Sequence, residues 1–286
     1  DPAAKKTIVW RAVKSNSQIS RADSQSWGTN LNFGSAIKVG TTQFRVTGLN
    51  DYNHVLYVTK EDGLWSVTND VPERVSVGLE SSPHPENGKA LLANGLFLYF
   101  NYMHSLEKFY GTNVEDIGPW QGSGIPSGRT GVISCLASAF SWLFAAVDAG
   151  TGGISSVLCY DSHGAWHEIY RAEEAGQRIR SIYWQSCPGG HPKLWIEVAG
   201  GLFYLDFPKL ELNPLNDSSF RYNDEAVLIT STIDFGNSRL PKLYKEIAAI
   251  CKNLAQGIYV AVDYQLDANI GGSTWTLLGS FLQNPE

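Results

Sequence analysis

Short apolar runs, separated by turns rich in glycine, asparagine and aspartate, recur along the first three-quarters of the chain. No segment before residue 240 keeps a capped helical period. One unit opens with Val46-Thr47-Gly48-Leu49 and continues through Val55-Leu56-Tyr57-Val58. It turns at Glu61-Asp62-Gly63 and resumes as Leu64-Trp65-Ser66-Val67. Asp-Gly between two such runs is a hairpin signal, because these residues tolerate the backbone a tight turn needs. A second unit runs from Ala90-Leu91-Leu92 through Leu96–Phe100 to Leu106–Phe109. A third runs from Val132–Leu136 through Trp142–Val147 and Ser156–Tyr160 to Trp166–Ile169, and a fourth from Ile179–Tyr183 through Leu194–Val198 to Leu202–Leu205.

The first runs of these units lie about 45 residues apart, the length of one four-stranded propeller blade. A lone unit of this kind leaves an apolar sheet face in water, so neighbours must stack on it. The pattern therefore predicts an all-β fold: a β-propeller of four-stranded blades over 1–212, followed by a small β-sandwich-like segment over 213–286. An open sandwich is the competing architecture. Ile8–Val13, Gln18–Arg21 and Ser26–Gly28 read as the later strands of a further blade, so the chain enters in mid-blade. That gives about five blades, or part of a larger ring. Beyond the polar linker Asn213–Ser219, strands are expected at Ala226–Phe235, Leu243–Ile250, Gly257–Tyr264 and Thr274–Phe281.

Composition agrees with a rigid β protein: aromatics make up 12% of the 286 residues, with nine Trp and thirteen Tyr against a single Met. The net charge is -6 with no long Lys/Arg run, so the basic footprint of a nucleic-acid binder is absent. No apolar stretch reaches the length of a membrane-spanning helix. The opening Asp1–Lys6 lacks the apolar core of a secretory signal and reads as a cut or processed start. Cys135, Cys159, Cys187 and Cys251 form no C-x-x-C element, and read as free thiols acting as small apolar groups, with a Cys135–Cys159 disulfide as the alternative.

Candidate chemistry is sparse. His163 and His167 stand four apart across an apparent turn and strand, where they do not converge with His191 on a metal. No catalytic residue, metal or cofactor is predicted. Asp62, Asp148, Asp161 and Glu197 are the carboxylates that a ring could turn towards a central channel, as a glycoside hydrolase would need. Asp62 and Asp161 also stand where turns ordinarily want aspartate. Gly122–Arg129 lacks the Lys-Ser/Thr ending of a phosphate loop and reads as a connection between blades. Aromatic faces near loops can stack on a sugar or anchor a protein, so the binding residues expected are Trp120, Tyr102, Tyr110 and Trp184, with Arg129 beside them. The alternative is that these aromatics fill gaps between blades and that Arg129 and Arg180 donate hydrogen bonds across them.

The turn Glu61–Trp65, the stretch Pro126–Arg129, the run Ala145–Gly150 and the pair Ser231–Gly236 and Leu240–Glu246 carry a family likeness. Together they resemble the propeller-plus-sandwich proteins of tailed-phage and prophage structural modules. That resemblance implies a non-enzymatic tail or tail-tip component, at a virion or extracellular surface. It would hold other protein subunits, itself included as a homo-oligomer, or touch a surface glycan. The alternative class is a carbohydrate-active propeller, lectin or glycoside hydrolase.

Overall fold

Five antiparallel meanders follow one another in the computed structural model, which describes residues 7–13, 16–24, 33–75, 79, 82–119, 127–161, 164–208, 259–266 and 274–281. The first sheet comprises β1 (Thr7–Ala12), β2 (Gln18–Ser24) and β3 (Ile37–Lys38). The second comprises β4 (Val46–Tyr52), β5 (Val55–Lys60), β6 (Gly63–Thr68) and β7 (Val71–Arg74). The third comprises β8 (Leu91–Asn94), β9 (Phe97–Tyr102), β10 (Ser105–Tyr110) and β11 (Asn113–Asp116). The fourth comprises β12 (Val132–Ala139), β13 (Trp142–Asp148), β14 (Ser156–Tyr160) and β15 (Trp166–Arg171), and the fifth β16 (Ile179–Gln185), β17 (Lys193–Val198) and β18 (Gly201–Asp206).

The chain divides into two units, Asp1–Ile229 and Thr230–Glu286. The expected boundary between 212 and 213 lies outside the described residues, as do the strands expected at Ala226–Phe235 and Leu243–Ile250. In the second unit the described residues form one hairpin, β19 (Val260–Tyr264) against β20 (Thr276–Phe281), with a register shift between Val262 and Asp263.

Local chemistry explains the meanders. Both central residues of the β4–β5 turn, Asn53 and His54, take positive φ, and so do Asn69 and Asp70 between β6 and β7. This is the two-residue geometry whose twist matches that of the flanking strands. The apolar pattern predicts three strands in the second and third sheets; β7 and β11 complete each to four. Both are four residues long, largely polar and exposed on three of four positions. They are outer-edge strands, where Pro72 is tolerated and charge discourages pairing with another chain.

Each sheet packs on the next through an apolar seam. Ile19 and Val39 of the first sheet region meet Leu56, Val58 and Val67 of the second. Tyr52 and Leu64 meet Leu98, Phe100, Tyr102 and Phe109 in the next seam. On the opposite face of the third sheet, Tyr99 and Leu106 meet Ile133, Leu143, Ala145, Val147 and Leu158. Phe144, Ala146, Val157 and Cys159 then meet Ile179, Ile182, Leu194, Ile196 and Val198. Alternate residues of β9 and β13 thus serve opposite seams, which is why both strands read as unbroken apolar runs. The first strands β1, β4, β8, β12 and β16 touch in succession. Replacing Phe144, fully buried between the fourth and fifth sheets, by alanine is expected to cost about 3–5 kcal/mol in a denaturant titration. Leu202→Ala on the exposed face of the fifth sheet should stay within about 0.5 kcal/mol.

Candidate functional site

The loops that enter the first strands gather most of the charged cross-sheet contacts. Arg178, just before β16, places Nε 3.1 Å from Asp148 Oδ2 at the end of β13 and Nη2 3.5 Å from Glu86 Oε2 ahead of β8. One guanidinium from the fifth sheet therefore holds carboxylates of both the fourth and the third. Lys89 Nζ donates to Glu86 Oε1 at 2.6 Å. That bond, reinforced by Arg178, holds the Glu86 carboxyl below its usual range. Beside this network lies a cleft of about 410 Å³ lined by Arg45, Val46, Thr47, Glu61, Pro85 and Lys89.

Two buried asparagines hold the loop beneath. Asn87 Nδ2 donates to Glu61 O and Ser82 O at 3.0 Å, and its Oδ1 accepts from Met103 N at 2.7 Å. Asn101 Nδ2 donates to Glu86 O at 2.8 Å while its Oδ1 accepts from Ala90 N at 2.9 Å. These bonds satisfy buried backbone groups that would otherwise be costly. Gly88, at φ 70°, passes so close to Thr59 that a side chain would collide with it, and Thr59 Oγ1 donates to Gly88 O at 2.7 Å. At the neighbouring seam Lys60 is fully buried, donates to Thr41 O at 3.0 Å and lies 3.5 Å from Asp62 Oδ1. Burial pushes the Lys60 pKa down, and Asp62 opposes that shift.

Among the described residues, those expected to bind do not converge. Tyr102 is a correction: it is 4% exposed, packed in the seam between the second and third sheets, where its apolar ring belongs. Trp184 is half-buried, stacked on Phe144 at 5.8 Å and edge-on to Phe207 at 5.1 Å; it fills the fourth seam rather than standing free. Tyr110 is exposed at the end of β10, edge-on to Phe97 at 6.0 Å. Arg129, on a 3-10 turn, pairs with Glu168 at 3.1 Å, and Glu168 also accepts from Arg171 at 2.9 Å. This pair ties a loop to β15 within one sheet. Trp120 and His163 lie outside the described residues.

The carboxylates have partners of their own. Asp161 accepts from Ala165 N at 3.0 Å and from His167 Nε2 at 3.0 Å, organising the β14–β15 turn. Glu197 accepts from Ser181 Oγ at 3.2 Å. Among the described residues no group of three or more His, Cys, Asp or Glu could hold a metal ion. Cys135, Cys159 and Cys187 are free, so no Cys135–Cys159 disulfide forms. Burial raises the Cys135 thiol to about 11 and Cys159 to about 12, which keeps both protonated. The network at Arg178 escaped the sequence reading except for Asp148. A lone arginine just before a strand gives no sequence signal of the two distant carboxylates it joins.

Neither a known family profile nor a curated protein sequence matches the chain. Among solved structures, the extracellular domain of a putative one-component system from B. thetaiotaomicron superposes with a TM-score of 0.50 at 13% identity. The match covers 69% of this chain and 25% of that one, so the chain spans about a quarter of the solved structure's length. The extracellular domain of a putative hybrid two-component system from the same organism matches at TM-score 0.43 and 13% identity, over 72% of this chain and 26% of that one. The first likeness bears on the all-β fold alone.

One acid stands apart. Glu107 on β10 is 8% exposed and lies opposite Asp116 of β11 in register. Burial first, then the charge of Asp116, raises its pKa from 4.5 to about 7. Ionisation is thus opposed only in the folded chain, and stability falls as pH rises from about 4.5 to about 7 and is flat above. Glu107→Gln should raise the melting temperature at pH 8.5 and leave it nearly unchanged at pH 4.5. An equal shift at both values would assign the effect to packing instead of charge.

Proposed function

We propose that the stacked sheets are successive blades of a β-propeller ring, about five or part of a larger one, and that the second unit is a small β-sandwich. The ring serves as a non-enzymatic structural and interaction component of a larger assembly. The observation that carries this reading is the Arg178 network: side chains that an active site would present free are spent on joining three sheets at one end of the fold. The succession of first-strand contacts supports a common axis, since in a propeller each blade begins at the centre. The hydrolase alternative needs two carboxylates facing an open site. Asp62, Asp148, Asp161 and Glu197 are instead bound to Lys60, Arg178, His167 and Ser181.

The likeness in sequence to phage structural modules supports a tail or tail-tip role. A virion-surface or extracellular placement belongs to the same proposal. Among the described residues no helix is long and apolar enough to cross a membrane. Light scattering on the purified chain should give one defined oligomer at micromolar concentration. A panel of aryl glycosides should show no turnover above buffer. A strict monomer, or steady hydrolysis of any glycoside in the panel, would contradict the assembly reading.

A further inference from the structure

Each of the second to fifth sheets carries a basic side chain in the loop that enters its first strand: Arg45, Lys89, Arg129 and Arg178. Three of these cations are answered. Arg178 holds Asp148 and Glu86, Lys89 holds Glu86, and Arg129 holds Glu168. Arg45 is exposed, and among the described residues its guanidinium has no partner. It stands on the wall of the 410 Å³ cleft.

The cleft lies between the second and third sheets. Arg45, Val46 and Thr47 come from the entry to β4, Glu61 from the β5–β6 turn, and Pro85 and Lys89 from the loop ahead of β8. Both flanking sheets are already packed on one another. Further sheets of a ring stack on its flanks and not on its ends, so none lies across this opening. Arg45, Pro85 and Lys89 on its walls are exposed. Glu61 Oε2 accepts from Arg45 N at 3.1 Å, yet among the described residues no ion pair joins that carboxylate to the Arg45 guanidinium. The charges around them cancel: Lys89 and Arg178 against Glu86 and Asp148, and Lys60 against Asp62. One guanidinium and one carboxylate are left on the same cleft, each unanswered by the other.

Thr47 adds a second sign of an unfilled place. It is the extra residue of a β-bulge, where the register shifts between Val46 and Gly48. Ser134 holds the same position in the bulge of β12, and its hydroxyl donates to Ile179 O, which joins the fourth sheet to the fifth. Thr47 Oγ1 is buried and has no hydrogen-bond partner among the described residues. Buried hydroxyls are seldom left in that state.

A cation and an anion set apart on one cleft, beside the apolar side chains of Val46 and Pro85, complement a ligand that carries both charges and an apolar body. We infer that this cleft binds a small zwitterion, a free α-amino acid or dipeptide with apolar side chains. Its carboxylate pairs with the Arg45 guanidinium, whose planar fork matches two carboxylate oxygens. Lys89 is a second cation on the same wall. Its ammonium pairs with Glu61, which as a carboxylate keeps lone pairs beyond the one that Arg45 N occupies. A plain carboxylate would meet Glu61 as a like charge, and a plain amine would meet Arg45 in the same way. Ligand pockets run from roughly 300 to 1,000 Å³. At about 410 Å³ the cleft has room for an amino acid or a dipeptide and not for a long chain.

The cleft stands apart from the assembly role, and either can fail without the other: a monomer that binds leucine would overturn the assembly reading alone. The test is calorimetric titration of the intact chain with L-leucine, L-phenylalanine and the dipeptide leucyl-leucine. Saturable binding to at least one is expected, with a Kd below about 1 mM. Arg45→Ala and Glu61→Gln should each weaken it about tenfold or more, since each removes a charged hydrogen-bond partner. Arg45→Ala removes an exposed side chain and keeps the backbone bond to Glu61, so its melting temperature should match the parent. Against the ligand that binds, the N-acetylated and the C-amidated forms should both bind at least about tenfold more weakly. The inference is overturned if none of the three probes binds, or if one binds with unchanged affinity in both variants. It is also overturned if the acetylated form binds as tightly as the free zwitterion, which would make the cleft a site for simple carboxylates.

Discussion

Everything in the first unit depends on burying both faces of the middle strands. A single sheet of this kind has one row of large apolar side chains on each side, and water on either side would cost it its stability. β13 shows the solution most plainly: Leu143, Ala145 and Val147 face the third sheet, while Phe144 and Ala146 face the fifth. No sheet between the first and last can be removed without exposing two seams. The same demand sets the side-chain sizes. Alanines on the fourth sheet leave room for Trp184 to stack on Phe144 with ring centres 5.8 Å apart, and for Phe207 to pack edge-on to both at 5.7 and 5.1 Å. Cross-sheet hydrogen bonds then fix the register of the stack, as where Ser134 Oγ donates to Ile179 O at 2.8 Å and Trp166 Nε1 to Ile117 O at 2.7 Å.

Where the seams end, backbone and charge must be satisfied by other means. The loop entering β8 is held by two buried asparagines and a threonine hydroxyl, and Arg178 reaches past the fourth sheet to the third. Exposed ion pairs of this kind contribute little energy each. Their contribution here is geometric, because one guanidinium joins the third, fourth and fifth sheets. Lys60 shows the same economy at the second sheet: its ammonium is buried, yet a carbonyl and Asp62 keep it partnered.

Much of the architecture was legible in the chain. The apolar runs at 46–67, 90–109, 132–169 and 179–205 locate the second to fifth sheets, because period-two burial and turn residues act locally. β3, β7 and β11 were not legible, since short polar edge strands carry no apolar signal. The sites were harder for the opposite reason. Tyr102 sits beside a turn in sequence but points into a seam, and Trp184 does the same. Arg45, Glu61 and Lys89 stand in separate loops, so only the packing of two sheets sets them on one cleft. Glu107 and Asp116 are likewise brought opposite each other by a hairpin whose second strand the apolar pattern does not reveal.

Sheets that turn about a common axis, as proposed, bring the loop ahead of β8 against the loop ahead of β16, where Arg178 meets Glu86. In a flat stack the third and fifth sheets would stand roughly 20 Å apart, two layer spacings. The direct measurement is chemical cross-linking of a Glu86→Cys, Arg178→Cys chain whose native cysteines are replaced by alanine, using a bis-maleimide shorter than that span. Mass spectrometry of the folded protein, restricted to chains that carry no inter-chain cross-link, should find the two positions joined in high yield, with none after unfolding in denaturant. Absence of the cross-link in a folded chain, with both thiols reactive towards a single maleimide, would contradict the account.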